Sequence, residues 1–174
     1  MTKPLSTRKS VKILLINPDN KILLMQAEDP KITSKEGNYH GRFWFPVGGG
    51  LEENETIKQA AIRELYEETG LLEKHVTIGP IVWHGAFELN INNVLTQLDQ
   101  TFIVMKTKEK EVRLHALCEW EKQHALNLAW FSYEEICNCE DVIYPLILKS
   151  HLQDILNEKY PSSMIEVDLS LQPS

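Results

Sequence analysis

Three glutamates near the middle of the chain have the residue type and the spacing of a metal site. Glu64, Glu67 and Glu68 lie at positions i, i+3 and i+4, so on a helix their carboxylates come to one side. Carboxylates held this close repel one another unless a positive charge lies between them. Because carboxylate oxygens suit hard divalent cations, the spacing indicates a site for Mg2+ or Mn2+. The alternative for a Glu-rich helix is a solvated charged face held by i,i+4 pairs.

A run of glycines precedes this helix and supports the metal-site interpretation. Gly48, Gly49 and Gly50 follow the apolar residues 43–47, which predict a short strand that ends in a turn. Without Cβ atoms the backbone can approach a ligand or an ion closely. The strand, the turn and the helix therefore follow one another directly along the chain.

The ends of the helix are also marked in the sequence. Thr56 and Gln59 predict a capping box for a helix that begins near residue 55 or 56, and Gly70 predicts its end at a left-handed residue. Between these ends, apolar residues recur every four positions, which gives the helix a face for packing against a core. They are Ile57, Ala61 and Leu65.

With its gaps, the segment 49–71 is G-x5-E-x7-R-E-L-x-E-E-x-G-L. It resembles the complete signature of the Nudix hydrolases, with every fixed position occupied by the expected residue. At average residue frequencies such a match arises by chance roughly once in 10^10 starting positions. The strict motif covers about an eighth of the chain. Trp44, ahead of the glycines, and the Ala-Trp-Phe-Ser segment at 129–132 resemble further common features of these enzymes.

The resemblance implies a reaction and a set of metal ligands. In Nudix enzymes the glutamates that correspond to Glu64, Glu67 and Glu68 are catalytic and bind divalent ions, here Mg2+ or Mn2+, and a backbone carbonyl corresponding to that of Gly48 often completes the ligand set. The implied reaction is hydrolysis of a phosphoanhydride bond, in a nucleoside diphosphate-linked small molecule or a nucleoside triphosphate. Metal ions in such a site neutralise charge that builds up on the phosphates.

The residue that accepts the proton of the attacking water has more than one candidate. Glu67 is the first choice within the motif. In many members of the family this base comes from a loop outside the signature, which directs attention to Glu119 and Glu111 in a charged stretch downstream. Weaker candidates are Glu88 and Asp99. The resemblance also implies that Glu55 and Arg63 form a supporting salt bridge, in agreement with the ability of Arg to hold a carboxylate by two bonds.

The surrounding pattern predicts an α/β domain. Residues 11–16 and 21–26 predict a hairpin across a turn at 17–20, and the polar residues 28–42 predict a long loop near the site that selects the non-phosphate part of the substrate. Further strands are predicted at 76–83, 86–91, 100–105 and 129–131, and further helices at 133–137 and 143–157. This order agrees with the fold that the resemblance implies, a Nudix α/β/α sandwich with a mixed β-sheet between helices.

Length and charge narrow the expected organisation and partners. The 174 residues suit one compact domain, predicted as residues 1–160 with a short peripheral C-terminal tail at 161–174. The net charge of -7 and the pI near 5.4 argue against a broad nucleic-acid surface, so the expected partner is a small phosphorylated molecule and not a nucleic-acid polymer. Without a long apolar run or a signal-peptide pattern, we expect no membrane association and a cytoplasmic location. A homodimer stays open.

Two other functions use the same fold. A non-catalytic Nudix-fold sensor or regulator would bind nucleotides without hydrolysis, although such modules commonly lose a signature carboxylate and all are present here. An isopentenyl-diphosphate isomerase relies on an altered motif and a site Cys, whereas Cys118, Cys137 and Cys139 lie far along the chain from the motif. The substrate is not specified either. The downstream Pro of ADP-ribose hydrolases would fall near Ala86, and the Tyr of diadenosine polyphosphate hydrolases near Glu88, so neither marker is met.

Overall fold

The computed structural model describes residues 6–29, 32–34 and 42–169. Within these ranges the strands are β1 (Ser6–Ile16), β2 (Ile22–Glu28), β3 (Ile32–Ser34), β4 (Arg42–Pro46), β5 (Gly48–Gly50), β6 (Val76–Ile91), β7 (Val94–Thr107), β8 (Ala125–Phe131), β9 (Val142–Ile143) and β10 (Ile165–Glu166). The helices are α1 (Ile57–Thr69), α2 (Glu119–His124), α3 (Tyr133–Asn138) and α4 (Leu148–Leu156), and a short 3-10 helix (Glu73–His75) follows α1. None of these helices is long and apolar enough to cross a membrane.

The predicted first hairpin is confirmed, and its turn is closed by an asparagine. Oδ1 of Asn17 accepts hydrogen bonds from the backbone N–H groups of Asp19 and Lys21, both at 3.0 Å. Asn20 adopts a left-handed backbone conformation with φ of 58°, which Asn tolerates better than most residues. β1 and β2 therefore leave the turn as antiparallel partners.

The sheet is mixed, as predicted. β1 runs parallel to β7 along its whole length and antiparallel to β5 and β2. The main path of strands is β10-β6-β7-β1-β2-β4-β9, with β3 beside β6, β5 beside β1 and β8 beside β2. Strand β1 therefore lies at the centre, where it contacts both the glycine strand β5 and the long strand β7.

Helices cover both faces of this central strand. Ile13 and Leu15 pack in one apolar cluster with Leu65 of α1, whereas Leu14 packs in a second cluster with Leu152 of α4. Side chains alternate between the two faces of a strand, and both faces of β1 are buried here because each is covered by a helix. The resulting arrangement is the α/β/α sandwich that the sequence predicts.

Helix α1 begins and ends where the capping residues predict. The side chain of Thr56 accepts a hydrogen bond from the N–H of Gln59 at 3.1 Å, and the side chain of Gln59 accepts one from the N–H of Thr56 at 3.0 Å. Gly70 follows the helix with φ of 77°, and its N–H donates to the carbonyl of Tyr66 at 2.9 Å. These contacts fix the length of α1 and so the positions of its three glutamates.

Two predicted elements need correction. The strands predicted at 76–83 and 86–91 are one strand, β6, which pairs with β7 across a turn at Asn92 and Asn93, both with positive φ. The helix predicted at 143–157 begins only at Leu148. Ile143 belongs to β9, which pairs with β4, and Pro145 disfavours a helical conformation for the residue before it.

Two further stretches differ from the elements that the sequence predicted. At the end of the charged stretch that contains Glu119, residues 119–124 form the short helix α2, which was not predicted. Of the loop predicted at 28–42, residues 32–34 form β3 and pair with β6, while 30–31 and 35–41 lie outside the described residues.

Residues 165–169 of the predicted C-terminal tail lie against the sheet. β10 pairs in parallel with β6, and the N–H of Val167 donates to the carbonyl of His84 at 2.9 Å. Leu169 is buried and packs in the same apolar cluster as Leu14 and Leu152. The apolar cluster therefore includes residues on both sides of position 160.

His84 connects this segment to the sheet through contacts with two carboxylates. Its Nδ1 lies 2.8 Å from the Glu166 carboxylate of β10, and its Nε2 lies 2.6 Å from Oδ1 of Asp99 in β7. The hydrogen bond with Glu166 and then that with Asp99 raise the pKa of His84 above its ordinary value of 6.5, although partial burial opposes them. A protonated imidazole can donate to both carboxylates at once.

We expect the docking of β10 to weaken as the pH rises. Because the folded-state pKa of His84 is raised, its contribution to stability is fully present below about 6.5 and is lost as the pH rises through the folded-state pKa. Glu166→Gln should therefore lower the Tm at pH 6, and the difference from wild type should shrink by pH 9. Thermal unfolding at both pH values checks this, with the exposed Glu134→Gln as a control that should show no such trend. An equal Tm difference at both pH values would contradict the prediction.

Candidate functional site

The acidic side of α1 lies directly against the glycine strand β5. The backbone N–H of Gly48 donates to Oε2 of Glu68 at 2.8 Å, and Glu68 is almost completely buried. A Cβ on Gly49 would lie between 2.4 and 2.6 Å from the carboxylate atoms of Glu64. A side chain at position 49 would therefore require the Glu64 carboxylate to move.

Arg63 organises the outer side of the cluster. Its Nε and Nη2 donate to the two carboxylate oxygens of Glu55 at 2.8 and 2.7 Å, which is a bidentate pair. Nη2 also donates to the carbonyl of Gly50 at 2.9 Å, and Nη1 donates to Glu64 at 2.8 Å and to Glu67 at 3.3 Å. Hydrogen bonding to Arg63 lowers the pKa of Glu55. One guanidinium thus ties the start of α1, the glycine strand and two motif glutamates together.

The three motif glutamates differ in environment although they share one side of the helix. The side chain of Glu67 is 40% exposed, whereas that of Glu64 is 12% exposed. Burial raises the pKa of Glu64, although the hydrogen bond and the charge of Arg63 oppose the change. Glu68 lies deepest, and its pKa is raised well above the ordinary value, first by burial and then by a neighbouring carboxyl group.

That neighbouring group belongs to Glu121 on α2, which the sequence did not single out. Glu121 is 8% exposed, and its Oε1 accepts a hydrogen bond from the N–H of Cys118 at 3.0 Å. Burial acts to raise the pKa of Glu121, but its contacts with Glu68 and Cys118 lower it overall. Two buried carboxyl groups this close do not both ionise without a positive charge near them. Oε1 of Glu68 has no hydrogen-bond partner in the described part of the chain.

Lys12 of β1 is the second residue that the sequence reasoning missed. Its Nζ lies 4.9 Å from the centre of the Phe45 ring. Burial lowers the pKa of Lys12, and the charges of Glu68, Glu64 and Glu121 oppose this change. A signal was present in the sequence, since Lys12 interrupts the otherwise apolar run 11–16 of the predicted strand.

The candidate bases from the downstream stretch lie away from this cluster. The Glu119 side chain is 84% exposed and pairs with Lys122 at 3.2 Å. Glu111 is also exposed. Neither lines the cavity beside the motif, although Glu121, two residues after Glu119, does. Of the weaker candidates, Asp99 binds His84.

A cavity of about 480 Å³ begins at the carboxylates and extends over the sheet. Glu64, Glu67, Glu121 and the glycines of β5 line one end. The other end is apolar and aromatic, and its lining includes Phe43, Phe87, Leu98, Tyr144 and Leu169. The Tyr144 ring lies 6.1 Å from that of Phe43 and 6.5 Å from that of Phe87, centre to centre. One cavity therefore offers acidic oxygens at one end and flat apolar surfaces at the other.

The acidic end has the chemistry of a site for a hard divalent cation. In the described ranges, no group of three or more His, Cys, Asp or Glu side chains is already arranged to hold a metal ion. The residues nevertheless fit one, because the donors are carboxylate oxygens and because Oε1 of Glu68 is buried without a donor. The absence of a side chain at Gly49 also lets the Glu64 carboxylate lie directly against the glycine strand. The residues that would hold the ion are Glu64, Glu67, Glu68 and, through its carbonyl, Gly48.

Comparison with known proteins gives a match over most of the chain. The profile of the NUDIX domain matches residues 6–147. The m7GpppN-mRNA hydrolase NUDT17 of Xenopus laevis is 29% identical over 117 residues, which cover 65% of this chain and 38% of that protein. The ADP-ribose pyrophosphatase of Methanocaldococcus jannaschii is 43% identical over 60 residues, which cover 34% of this chain and 31% of that protein. The chain thus matches about a third of the length of these curated relatives.

Solved structures share the fold at low sequence identity. The dihydroneopterin triphosphate pyrophosphohydrolase of E. coli has a TM-score of 0.61 at 16% identity, with 89% of this chain and 99% of that chain covered. The Ap4A hydrolase of C. elegans, in a binary complex, has a TM-score of 0.59 at 20% identity, with 87% and 98% covered. At these identities the likeness shows the fold alone.

We expect the Arg63 network to be a large part of the stability of this site. Arg63→Lys removes the bidentate contact with Glu55 and should lower the free energy of unfolding by about 1–3 kcal/mol. Glu52 lies 3.8 Å from Nε of Arg63 with its side chain 69% exposed, so Glu52→Gln should change it by less than about 0.5 kcal/mol. Urea unfolding of both variants without divalent ions provides the measurement. Equal effects of the two substitutions would show that the bidentate contact contributes little.

Proposed function

Because the chain belongs to the Nudix family, we propose that it hydrolyses a phosphoanhydride bond in a nucleoside diphosphate-linked small molecule or a nucleoside triphosphate, using Mg2+ or Mn2+. The observation that carries this proposal is the cavity itself, in which the motif carboxylates and an aromatic surface lie within one space. The diphosphate belongs at the acidic end and the nucleoside at the aromatic end. Aromatic side chains suit the flat face of a base.

The floor of the cavity also offers polar atoms for the nucleoside. Ser10 of β1 pairs in register with Gln100 of β7, and both line the cavity. Oγ of Ser10 is shielded from solvent and has no hydrogen-bond partner among the residues that the structure describes. A buried polar atom of this kind is costly unless a ligand or water satisfies it. The base or the ribose supplies such a partner in the proposed complex.

Positive charge at the acidic end comes from the cation and from the protein. When bound, the divalent ion supplies charge for the phosphate oxygens and makes water easier to deprotonate. Lys12, which pairs in register with Gly48, lines the same cavity, and in the proposed complex it binds phosphate oxygens. Arg63 is engaged with Glu55, so it acts by holding Glu64 and Glu67 in place.

The hydrolytic step needs a group that accepts a proton. Water adds to a phosphorus atom, the bond from that phosphorus to the bridging oxygen breaks, and the departing phosphate keeps the bridging oxygen. The proton of the water passes to a carboxylate. We assign this role to Glu121, because it is the glutamate outside the motif that lines the cavity beside Glu68. Glu67, which was the first choice from the sequence, becomes the second candidate.

The net charge of the protein favours a small-molecule substrate over a nucleic-acid polymer. The Xenopus relative is named for hydrolysis of capped mRNA, so a capped RNA belongs in any test. The net charge of -7 opposes the tracking of a long polyanion, which requires a row of cations to displace its counterions. We therefore propose a phosphorylated small molecule as the partner of this chain.

A substrate panel tests the proposed activity. We expect phosphate or nucleoside monophosphate release from at least one of ADP-ribose, a diadenosine polyphosphate or a nucleoside triphosphate in the presence of Mg2+ or Mn2+. The activity should vanish with excess EDTA, because the donor set holds hard cations. Phosphomonoesters should not react, since they lack two adjacent phosphates. Nucleotide binding without any hydrolysis, cleavage of capped RNA alone, or full activity in EDTA would each contradict the proposal.

The assignment of the base is tested with two glutamates on the same short helix. Glu121→Gln should lower kcat by about a hundredfold or more, because the amide cannot accept the proton. Glu119→Gln, two residues away with an exposed side chain, should leave kcat within about twofold. Steady-state kinetics on the best substrate of the panel, with circular dichroism to verify folding, gives the answer. If both variants keep the wild-type kcat, the base is not on α2.

A further inference from the structure

One row of the cavity floor lacks a side chain, and another segment supplies it. Across the sheet, Ser10 of β1 pairs with Gln100 of β7, which pairs with Gly85 of β6. Residues directly opposite one another on neighbouring strands point to the same face. At Gly85 there is no side chain to continue the row.

Leu169 occupies the space above this glycine. A Cβ on Gly85 would lie 2.7 Å from Cγ of Leu169 and 2.6 Å from the carbonyl oxygen of Val167. The close approach is possible because Gly85 has no Cβ. Leu169 is 6% exposed and lines the cavity together with Phe87. The wall of the cavity at this point is therefore built by the C-terminal segment and not by the sheet.

This segment lies beyond the part of the chain that the family profile matches. The match ends at residue 147, whereas Leu169 comes after α4 and β10. The segment is held by strand pairing with β6, by the hydrogen bond from Val167 to His84 and by the contacts of Glu166 with His84. Its position against the sheet is thus specified by several independent contacts.

We propose that Leu169 is a specificity-determining residue, which segment 165–169 carries into the cavity to contact a flat aromatic group on the non-phosphate part of the substrate. The proposal deepens the hydrolase function proposed above and rests on it for the reaction. Binding of the non-phosphate group at Leu169 does not depend on whether the protein hydrolyses the ligand. Removing the Leu169 side chain widens the aromatic end of the cavity and leaves the carboxylate end unchanged, so it should weaken only ligands that reach the aromatic end.

Two non-hydrolysable probes separate the two ends of the cavity. Methylenediphosphonate presents only the two phosphates, whereas α,β-methylene-ADP adds a nucleoside to the same group. Calorimetric titration with Mn2+ present should show that wild type binds the nucleoside probe more tightly. Leu169→Ala should weaken binding of the nucleoside probe by about tenfold, as for a lost apolar contact in a pocket, and change binding of methylenediphosphonate by less than about twofold.

Two variants serve as controls, and a third provides a second test. Leu169→Met keeps a large apolar side chain and should retain most of the preference for the nucleoside probe. Met164→Ala removes a side chain of the same segment that is 45% exposed, and it should change neither affinity. Gly85→Ala should reproduce the effect of Leu169→Ala, because its Cβ meets the Val167 carbonyl and displaces the segment. Thermal unfolding establishes that each variant is folded at the temperature of the titration.

The outcomes distinguish this inference from the proposed function. If Leu169→Ala weakens both probes equally or neither of them, or if wild type does not prefer the nucleoside probe, Leu169 does not determine specificity. If the binding preference behaves as expected but wild type cleaves none of the panel substrates, the hydrolase function is wrong and the assignment of Leu169 as a binding residue stands.

Discussion

The central constraint of this structure is that one face of α1 buries apolar side chains and carboxylates together. Ala61 and Leu65 pack into the core, while Glu64 and Glu68 enter the same interior. Burying a carboxylate is costly unless it is hydrogen-bonded or paired with a cation. The helix can lie this close because the strand opposite it is glycine, so that the backbone N–H of Gly48 reaches Glu68 and no side chain excludes Glu64.

Arg63 and Lys12 divide the positive charge of the site between its two sides. Arg63 lies on the outer side, where two short hydrogen bonds to Glu55 engage its guanidinium. It stabilises the outer carboxylates, but Glu68 receives no hydrogen bond from it. Lys12 lies on the inner side, but burial lowers its pKa. The buried pair of Glu68 and Glu121 therefore favours an additional cation. This requirement for positive charge links the packing of α1 to the metal site that we propose.

The aromatic end of the cavity is assembled differently, because distant parts of the chain contribute to it. Phe43 comes from β4, Phe87 from β6, Tyr144 follows β9, and Leu169 follows β10. Strand pairing of β4 with β9 brings Phe43 and Tyr144 together, the Phe87 ring stacks on Tyr144, and Gly85 admits Leu169. The motif carboxylates that we propose as metal ligands thus lie on one helix beside its adjoining strand, whereas the surface proposed for the non-phosphate group is assembled from separate elements. Such a division allows the specificity of a site to change without a change in its chemistry.

The sequence by itself determined the local part of this architecture. Capping by Thr56 and Gln59, the left-handed Gly70 and the spacing of the glutamates depend only on neighbours within a few residues, so the bounds and the acidic side of α1 follow from the chain. The alternation of strands and helices likewise indicated the α/β/α sandwich. The structure also contains the pair of Glu55 and Arg63, in which the two residues are separated by eight positions along the chain.

Tertiary structure alone decided the contacts between distant segments. Locally, Glu121 differs from Glu119 only in that its side chain accepts from the N–H of Cys118 at the start of α2, and the packing of α2 buries Glu121 while it leaves Glu119 exposed. Leu169 is a second example. The sequence of its segment predicts a peripheral tail, but strand pairing with β6 places Leu169 over Gly85. Long-range contacts depend on which strands meet and in which register, and a shift of one residue would turn every side chain to the opposite face. The local sequence therefore specifies the motif carboxylates, whereas the position of Glu121 and the shape of the cavity depend on the folded chain.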